Sequence, residues 1–246
     1  MPPPISPGNS PDSSAISSIV KNEPWYYSPL TITIIGASGD LAKKKTYPSL
    51  LSLYLTGLLP PHFRVFGYAR SPSSDEAFRA KIRPFLVKSS KSASPSLVDS
   101  FLASCFYLSG PSYGDEPAFS RLHAEHLAFE SSAVTAVPAR HAGENPHRAQ
   151  LSRPSVNRLW YFAVPSTVFA LAASRIRELC MRRPGAAEGG WTRIIVEKPF
   201  GRDSGSCEAL TEALAGSFSV SRTQRFPPPA RKKSEGAGSP SRTSAL

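Results

Sequence analysis

A short glycine-containing loop is the part of this 246-residue sequence whose residue types and spacing could do chemistry. The loop follows an apolar run over residues 30–35 and reads Gly36-Ala37-Ser38-Gly39-Asp40-Leu41. Gly36 and Gly39 lack a Cβ, so backbone N–H groups of such a loop can approach an anion closely, and the dipole of a following helix favours negative charge there. The loop predicts a phosphate-binding turn between a strand and a helix. Its GxxG spacing is shorter than the usual GxGxxG and is also compatible with an ordinary glycine turn.

Positively charged side chains follow at two places where they could reach a phosphate. Arg70 comes shortly after a strand pattern, at the position where dinucleotide-binding folds present a side chain to the adenosine ribose. An acid there would repel a 2′-phosphate and a guanidinium attracts it, so the residue type predicts NADP over NAD; the alternative is an exposed arginine at a strand end. Lys43, Lys44 and Lys45 could add to phosphate binding or form a solvated helix face.

Alternating strand and helix patterns must position these residues. Strands are predicted over residues 30–35, 64–68, 105–108, 159–164 and 192–197. Helices are predicted over residues 41–55, 75–87, 95–104, 116–129, 167–181 and 206–214, with Pro48 able to kink or split the first. The alternation predicts an α/β fold with a doubly wound parallel sheet of the Rossmann type.

Composition divides the chain into one domain and two tails. Residues 1–28 are rich in Pro and Ser without an apolar period, which predicts a disordered leader. The domain is expected to span residues 29–216, with a flexible insertion at residues 130–156, where no period is found. Residues 217–246 carry six Lys or Arg residues and one acid, and they are predicted to form a disordered basic tail.

Charge and composition also bear on partners and location. The net charge of +11 lies partly in the basic tail, which has neither a groove-reading helix pattern nor a stacking platform, so no nucleic-acid partner is expected. No apolar run approaches the roughly 20 residues of a membrane span. The leader has one Lys, no Arg and two acids, which favours a cytoplasmic location and leaves plastid import open. The three cysteines form no CxxC pair, so neither a disulfide framework nor a metal site is expected.

Five motifs follow one another in the domain. They are GASGDLAKKK (36–45), GLLP (57–60), GYARS (67–71), YFAVPSTVF (161–169) and RIIVEKPFGRD (193–203). In order and spacing they closely resemble the glucose-6-phosphate dehydrogenase family, and CFYLSG (105–110) resembles its plant and algal branch. The resemblance implies an NADP-binding Rossmann domain. It further implies oxidation of glucose 6-phosphate to 6-phosphogluconolactone in the oxidative pentose phosphate pathway.

The resemblance also implies roles for single residues. Pyrophosphate binding carries over to Gly36, Ala37, Ser38, Gly39, Asp40, Leu41, Lys43 and Lys45. Arg70 takes the 2′-phosphate contact, and Lys198 lies between the cofactor and the sugar phosphate and binds both. Phe169 departs from the pattern, because many relatives have a tyrosine there and a phenylalanine has no hydroxyl to donate.

No catalytic residue is predicted in these 246 residues. Hydride removal from a sugar hydroxyl needs a base, usually histidine, and the family's RIDHYLGKE motif does not occur here. His123 and His126, three residues apart on a predicted helix, are expected to be a surface pair and not a metal site. The resemblance therefore implies a truncated NADP-binding domain without turnover of its own, forming a homo-oligomer only if the missing domain is supplied. The alternative is a non-catalytic NADP-binding or subunit-pairing module.

Overall fold

The central strand shows how the sheet is built. A computed structural model of the chain describes residues 13–90, 93–136, 155–181 and 190–197. In it, β1 (Leu30–Ile35) is buried at all six positions, as expected for a parallel strand covered on both faces. β2 (Phe63–Ala69) and β4 (Asn157–Phe162) pair with it on either side, and β3 (Cys105–Ser109) and β5 (Thr192–Val196) extend the sheet.

The strand order reverses direction at β1. The order is β3-β2-β1-β4-β5, and each neighbouring pair is parallel. The chain runs outward from β1 to β3 and then returns to the other side of β1. Such a reversal opens a crevice outside the carboxyl ends of the strands. The predicted doubly wound parallel sheet is confirmed.

Helices cover both faces of this sheet. They are α1 (Ser13–Lys21), α2 (Tyr47–Leu55), α3 (Asp75–Ser89), α4 (Pro95–Ala103), α5 (Glu116–Ala136) and α6 (Phe169–Arg175), with 3-10 turns at Pro24–Tyr27 and Ser166–Val168 and π turns at Ala42–Thr46 and Ile176–Cys180. One apolar core lies between the sheet and α2, α3 and α4, and a second lies between the opposite face and α5 and α6. Successive strand residues alternate between them, with Ile34 in the first and Ile35 in the second. None of the helices in the described ranges is long and apolar enough to cross a membrane.

A widened turn occurs where the first long helix meets a proline. The helix begins at Asp40, and the N–H of Tyr47 donates to the carbonyl of Ala42, five residues earlier. Pro48 has no N–H to donate to the carbonyl four residues before it, so the regular ladder is interrupted here. The helix predicted over residues 41–55 is present, and its interruption near Pro48 takes the form of a π turn.

Side chains occupy the outer edge of β3. The N–H of Tyr107 donates to Asp75 Oδ1 of α3 at 2.6 Å, and Arg79 Nε of the same helix donates to the Cys105 carbonyl at 2.8 Å. Arg121 Nη2 of α5 donates to the Ser109 carbonyl at 3.2 Å. Three alternate residues of the edge strand thus have side-chain partners for a backbone group.

A charged network lies inside the second core. The side chains of Arg158 in β4 and Glu130 in α5 are 1% and 2% exposed and form a two-pronged ion pair, with Nε to Oε1 at 2.6 Å and Nη2 to Oε2 at 2.7 Å. Arg158 Nη1 also donates to the Cys180 carbonyl at 2.6 Å and to His123 Nδ1 at 3.0 Å. These bonds join α5 and the π turn after α6 to β4.

The prediction that His123 and His126 form a surface pair is wrong for His126. It is fully buried, and its Nε2 lies 2.9 Å from the Thr33 hydroxyl of β1. The reason is that the face of α5 that carries His126 packs on the sheet, where the imidazole lies edge-on against the rings of Phe66 and Trp160. No cluster of three potential metal ligands occurs in the described part of the chain.

The predicted ends of the disordered leader and of the helix over residues 116–129 are also wrong. Residues 13–21 form α1, and the Tyr26 hydroxyl donates to the Gly57 carbonyl at 2.9 Å, so the second half of the predicted disordered leader is folded. α5 continues seven residues past its predicted end to Ala136, because Glu130 and Ala133 are buried against the sheet. The rest of the predicted insertion up to residue 154, the helix over 206–214 and the basic tail lie outside the described residues.

Candidate nucleotide-binding site

The turn after β1 requires glycine at its first position. Gly36 has a φ of +89°, and a Cβ there would lie 2.6 Å from both the Ala163 carbonyl oxygen and Val164 Cγ1. The N–H of Ala163, just after β4, donates to the Ile35 carbonyl at 2.8 Å. The end of β4 therefore lies directly against the turn, beside the crevice that the strand reversal creates.

The amides of the turn fall into two groups. The N–H groups of Gly36 and Ala37 both donate to the Tyr68 carbonyl, at 2.8 and 3.2 Å, and that of Gly39 donates to the Gly36 carbonyl at 2.9 Å. These bonds fix the shape of the loop. The following amides belong to the first turn of the helix that begins at Asp40, where N–H groups have no intrahelical acceptor. The N–H groups that are left without a partner are therefore those at the start of the helix, and the Gly36 amide is already bonded.

Gly67 of β2, which was not predicted to belong to the site, makes room for the loop. A Cβ on Gly67 of β2 would lie 2.8 Å from Ala37 Cβ and 2.8 Å from the Tyr47 hydroxyl, and both of these residues are fully buried. Any side chain larger than that of glycine at position 67 would therefore push the loop away from the sheet. A glycine inside a strand pattern is the signal that could have identified this close approach.

The lysines at the helix start are partly paired. Lys44 Nζ lies 2.7 Å and Lys43 Nζ 3.2 Å from the carboxylate of Asp40. Hydrogen bonds from Lys44 and then Lys43 hold the pKa of the Asp40 carboxyl below its ordinary value. Lys45 is exposed and has no ion pair within the described ranges. The helix start thus carries three cations and one counterion.

Arg70 lies at the same edge of the sheet as the glycine turn. The register pairs Ile35 with Tyr68, so Gly36 and Arg70 follow the ends of adjacent parallel strands. Arg70 is exposed, and its Cζ lies 5.6 Å from the centroid of the Tyr113 ring. It forms no ion pair with any residue that the structure describes, so its guanidinium can receive an external anion.

Two further positions singled out in the sequence are Lys198 and Phe169. Lys198 is outside the described residues; the chain is described up to Glu197, whose carboxylate accepts a hydrogen bond from the Tyr161 hydroxyl. Burial and then the hydrogen bond to Glu197 raise the pKa of Tyr161 to about 12, so its hydroxyl keeps its proton at neutral pH. Phe169 is 1% exposed and packs edge-on against Phe162, with ring centroids 5.3 Å apart. Its ring belongs to the second core.

The described residues that are predicted to bind the cofactor phosphates lie at one edge of the sheet. A glycine turn, a helix start and exposed cations meet at the carboxyl ends of β1 and β2, next to the reversal of strand order. Ser38 and Leu41 are exposed on the outer side of the loop, and Gly39 is half-buried. In folds of this kind a dinucleotide lies across the crevice with its pyrophosphate at the helix start. Fold and site together define a Rossmann-type dinucleotide-binding domain.

Comparison with known proteins identifies the family. Residues 33–226 match the family model described as "Glucose-6-phosphate dehydrogenase, NAD binding domain". The chain belongs to the glucose-6-phosphate dehydrogenase family, as its motifs predicted.

Individual relatives agree with this assignment. The Arabidopsis thaliana protein named glucose-6-phosphate 1-dehydrogenase 6, cytoplasmic, is 38% identical over 201 residues, which are 80% of this chain and 35% of the relative. The chloroplastic glucose-6-phosphate 1-dehydrogenase 3 of the same plant is 37% identical over 189 residues, which are 76% of this chain and 27% of the relative. A solved structure of glucose-6-phosphate dehydrogenase in complex with its substrate glucose-6-phosphate matches with 35% identity and a TM-score of 0.63, covering 78% of this chain and 35% of that one. The chain thus spans 27% to 35% of the length of these three proteins.

Proposed function

We propose that the domain binds NADP, with the pyrophosphate at the loop of residues 36–41 and the adenosine 2′-phosphate at Arg70. The observation that carries this proposal is the position of Arg70, exposed and without a carboxylate partner in the described chain, at the sheet edge that also holds the glycine turn. An acid at the corresponding place would accept hydrogen bonds from the ribose hydroxyls of NAD and repel a phosphate. A guanidinium offers a planar pair of donors to the phosphate.

The other predicted residues divide the work of binding. Gly36, Ala37 and Gly39 shape the loop through their hydrogen bonds and close contacts. The first helical turn, with Ser38, Asp40 and Leu41 around it, faces the pyrophosphate with amides and a helix dipole. Lys43 and Lys45 add positive charge, and Lys198 binds both the cofactor and the sugar phosphate.

Titration of the purified chain with NADP and with NAD tests this cofactor assignment. Arg70→Ala should weaken NADP binding about 10- to 100-fold, because a hydrogen bond to a charged group contributes about 1.5–3 kcal/mol, and should leave NAD binding nearly unchanged. The matched control is Arg64→Ala, which removes an arginine inside β2, six residues before Arg70, whose Cζ lies 4.7 Å from the centroid of the Phe106 ring. An equal loss of NADP and NAD affinity in Arg70→Ala would contradict the proposal.

For the complete protein we propose the reaction that the relatives' names describe. NADP, when bound, would supply the acceptor for a hydride from the first carbon of glucose 6-phosphate, and the product would be 6-phosphogluconolactone in the oxidative pentose phosphate pathway. The hydroxyl proton must leave with a base at the same time. Lys198 would hold the sugar phosphate by charge, since an ammonium is a strong partner for a phosphate dianion.

The 246 residues contain no RIDHYLGKE motif, and we propose that this chain alone binds NADP without turnover. In that state it acts as an NADP-binding or subunit-pairing module. A spectrophotometric assay at 340 nm of the purified chain with glucose 6-phosphate and NADP should show no enzymatic rate. Reduction of NADP at a rate ordinary for an enzyme would refute the inactivity while leaving cofactor binding intact.

We propose a cytosolic location. Residues 1–28 contain no arginine and two acids, a composition that does not favour organelle targeting, and the relatives include both cytoplasmic and chloroplastic proteins. Fluorescence microscopy of the chain fused at its carboxyl end to a fluorescent protein tests this, and plastid fluorescence would contradict it.

A further inference from the structure

An aromatic ring lies against the guanidinium that is proposed to select the cofactor. Tyr113 lies in the loop after β3, and its ring centroid is 5.6 Å from Arg70 Cζ. This distance is within the range in which the negative face of an aromatic ring attracts a cation. The contact joins the residue after β2 to the loop after the neighbouring strand, so it depends on the sheet and not on sequence proximity.

The loop that carries Tyr113 is anchored on the side of β2. The Tyr68 hydroxyl donates to the Ser112 carbonyl at 2.7 Å, and the Tyr68 ring packs edge-on against Tyr113 at 6.1 Å. Burial is the main cause that raises the pKa of Tyr68 to about 12, so its hydroxyl remains a donor at neutral pH. A Cβ on Gly110 would lie 2.2 Å from the same hydroxyl, so the glycine lets the loop approach Tyr68.

The loop is also anchored on the side of α5 and α6. Arg175 Nε of α6 donates to the Gly114 carbonyl at 2.9 Å, and Leu171 of the same helix lies against Gly114. Asp115 Oδ2 accepts the N–H of Ala118 at 2.9 Å, near the start of α5. Tyr113 is therefore presented by backbone that is held on both sides.

A ring fixed in this way restricts the motion of Arg70. An exposed arginine has many rotamers, and ordering it on binding costs conformational entropy. A guanidinium lying over an aromatic face keeps its in-plane N–H groups free for a phosphate, because stacking uses only the face. Preorganisation of this kind raises affinity by lowering the ordering cost on binding.

We propose that Tyr113 is a positioning residue that holds Arg70 ready for the 2′-phosphate and thereby contributes to the preference for NADP over NAD. This inference rests on the proposed role of Arg70. Tyr113 acts through Arg70 and makes no contribution to binding of a nucleotide that lacks the 2′-phosphate.

The experiment is a double-mutant cycle on the full chain, with NADP, NAD, 2′,5′-ADP and 5′-AMP as probes in calorimetric titrations. Tyr113→Leu should weaken NADP and 2′,5′-ADP about two- to fivefold, the range for a cation–π contact at an exposed site, with NAD and 5′-AMP unchanged. In an Arg70→Ala background the same change should have no effect. Tyr113→Phe, which keeps the ring, should bind NADP like the original chain.

The matched control removes a ring that is stacked on a different arginine. Arg193 Cζ lies 4.4 Å from the Trp191 ring at the start of β5, so Trp191→Leu should leave the ratio of NADP to NAD affinity unchanged. Should Tyr113→Leu fail to fold in a thermal melt, a ring-fluorinated phenylalanine at position 113 keeps the size of the ring and removes the negative face. Compared with Tyr113→Phe, it should weaken NADP two- to fivefold.

The outcomes separate this inference from the cofactor assignment. No effect of Arg70→Ala on NADP would sink the proposed role of Arg70. A normal effect of Arg70→Ala with none of Tyr113→Leu, or of the fluorinated ring, would overturn the inference alone. An equal loss for NADP and NAD would also overturn it, since it would mean that Tyr113 contacts the adenine or supports the fold.

Discussion

Arg70, the residue after β2, and Arg158 in β4 belong to the same sheet, but Arg70 is exposed and Arg158 is buried. Arg158 is buried in the second core, where Glu130, His123 and the Cys180 carbonyl receive its N–H groups. Arg70 is exposed, lies over Tyr113 and has no counterion in the described chain. The same residue type therefore joins secondary-structure elements at one end of the sheet and is available to bind a ligand at the other.

The comparison shows how burial decides what a guanidinium can do. A buried charge must be paired and hydrogen-bonded, because its transfer from water is costly, and the Arg158 side chain, 1% exposed, is not accessible to a ligand. An exposed arginine stays hydrated and can exchange water for a phosphate with little structural change. Breaking the pair at Arg158 should therefore damage the fold, and changing Arg70 should damage only binding.

The largest expected effect comes from removing the partner of Arg158. Glu130→Ala leaves a buried guanidinium without its carboxylate and should lower the free energy of unfolding by about 3–5 kcal/mol. Urea denaturation followed by circular dichroism measures this. Asp99→Ala is the control, because the Arg83–Asp99 pair that it breaks is exposed and should contribute less than about 1 kcal/mol. Similar losses in the two variants would contradict the distinction between buried and exposed pairs.

The next largest effect should come from Gly36. Gly36→Ala places a side chain at positive φ and 2.6 Å from the Ala163 carbonyl oxygen, so it should cost about 2–4 kcal/mol of stability and abolish NADP binding. Gly39→Ala is the matched variant and should cost less than about 1 kcal/mol, since its Cβ would lie 3.1 Å from the Gly36 carbonyl oxygen and 3.8 Å from that of Ala163. Thermal melts with and without NADP compare them. A Gly36→Ala chain as stable as Gly39→Ala would show that the turn can relax.

A smaller effect concerns pH and the histidine beside the buried pair. Burial, and then the charges of Arg158 and His123, hold the pKa of His126 well below its ordinary value. The folded chain therefore keeps His126 neutral, while the unfolded chain protonates it below pH ~6.5. The associated stability is complete above that pH and is lost as the pH falls, by at most about 1.4 kcal/mol per pH unit. His126→Gln should flatten the decline of unfolding free energy between about pH 6.5 and 5; an unchanged slope would assign the decline to other groups.

The smallest effect should be that of Arg70 on stability. Arg70→Ala removes no buried contact and should change the free energy of unfolding by less than about 0.5 kcal/mol. Urea denaturation without nucleotide tests this directly. A loss of 2 kcal/mol or more, on the order of a core substitution, would show that Arg70 supports the fold as Arg158 does.

Sequence pattern was sufficient where the chain's own chemistry decides the structure. β1 was predicted with its exact bounds because a β-branched run can be buried on both faces. β4 begins two residues before its predicted start at 159 and ends two residues before its predicted end at 164. The polar side chains of Asn157 and Arg158 hid the start of the strand. Arg158 is buried there only because Glu130, from another helix, neutralises it. Such a partner cannot be found by scanning one segment at a time.

The candidate site was also predictable only where a single segment of the sequence carries the signal. The glycine loop and Arg70 could be found because residue type and position after a strand carry the signal. Gly67 carried a partial signal, a glycine inside a strand pattern, but the residues it makes room for could not be found, and neither could Tyr113, because these contacts form between side chains that meet across the sheet. Gly67 is small to admit Ala37 and Tyr47, and Tyr113 reaches Arg70 only because β2 and β3 are neighbours.

The side chains along the outer edge of β3 have a consequence for assembly. Asp75, Arg79 and Arg121 already occupy backbone groups to which an incoming strand would have to bond. A strand from another molecule could add there only by displacing them, and edges blocked in this manner resist intermolecular pairing and fibril growth. Lengthening of the sheet, whether within one polypeptide or between two, is therefore directed to the side of β5.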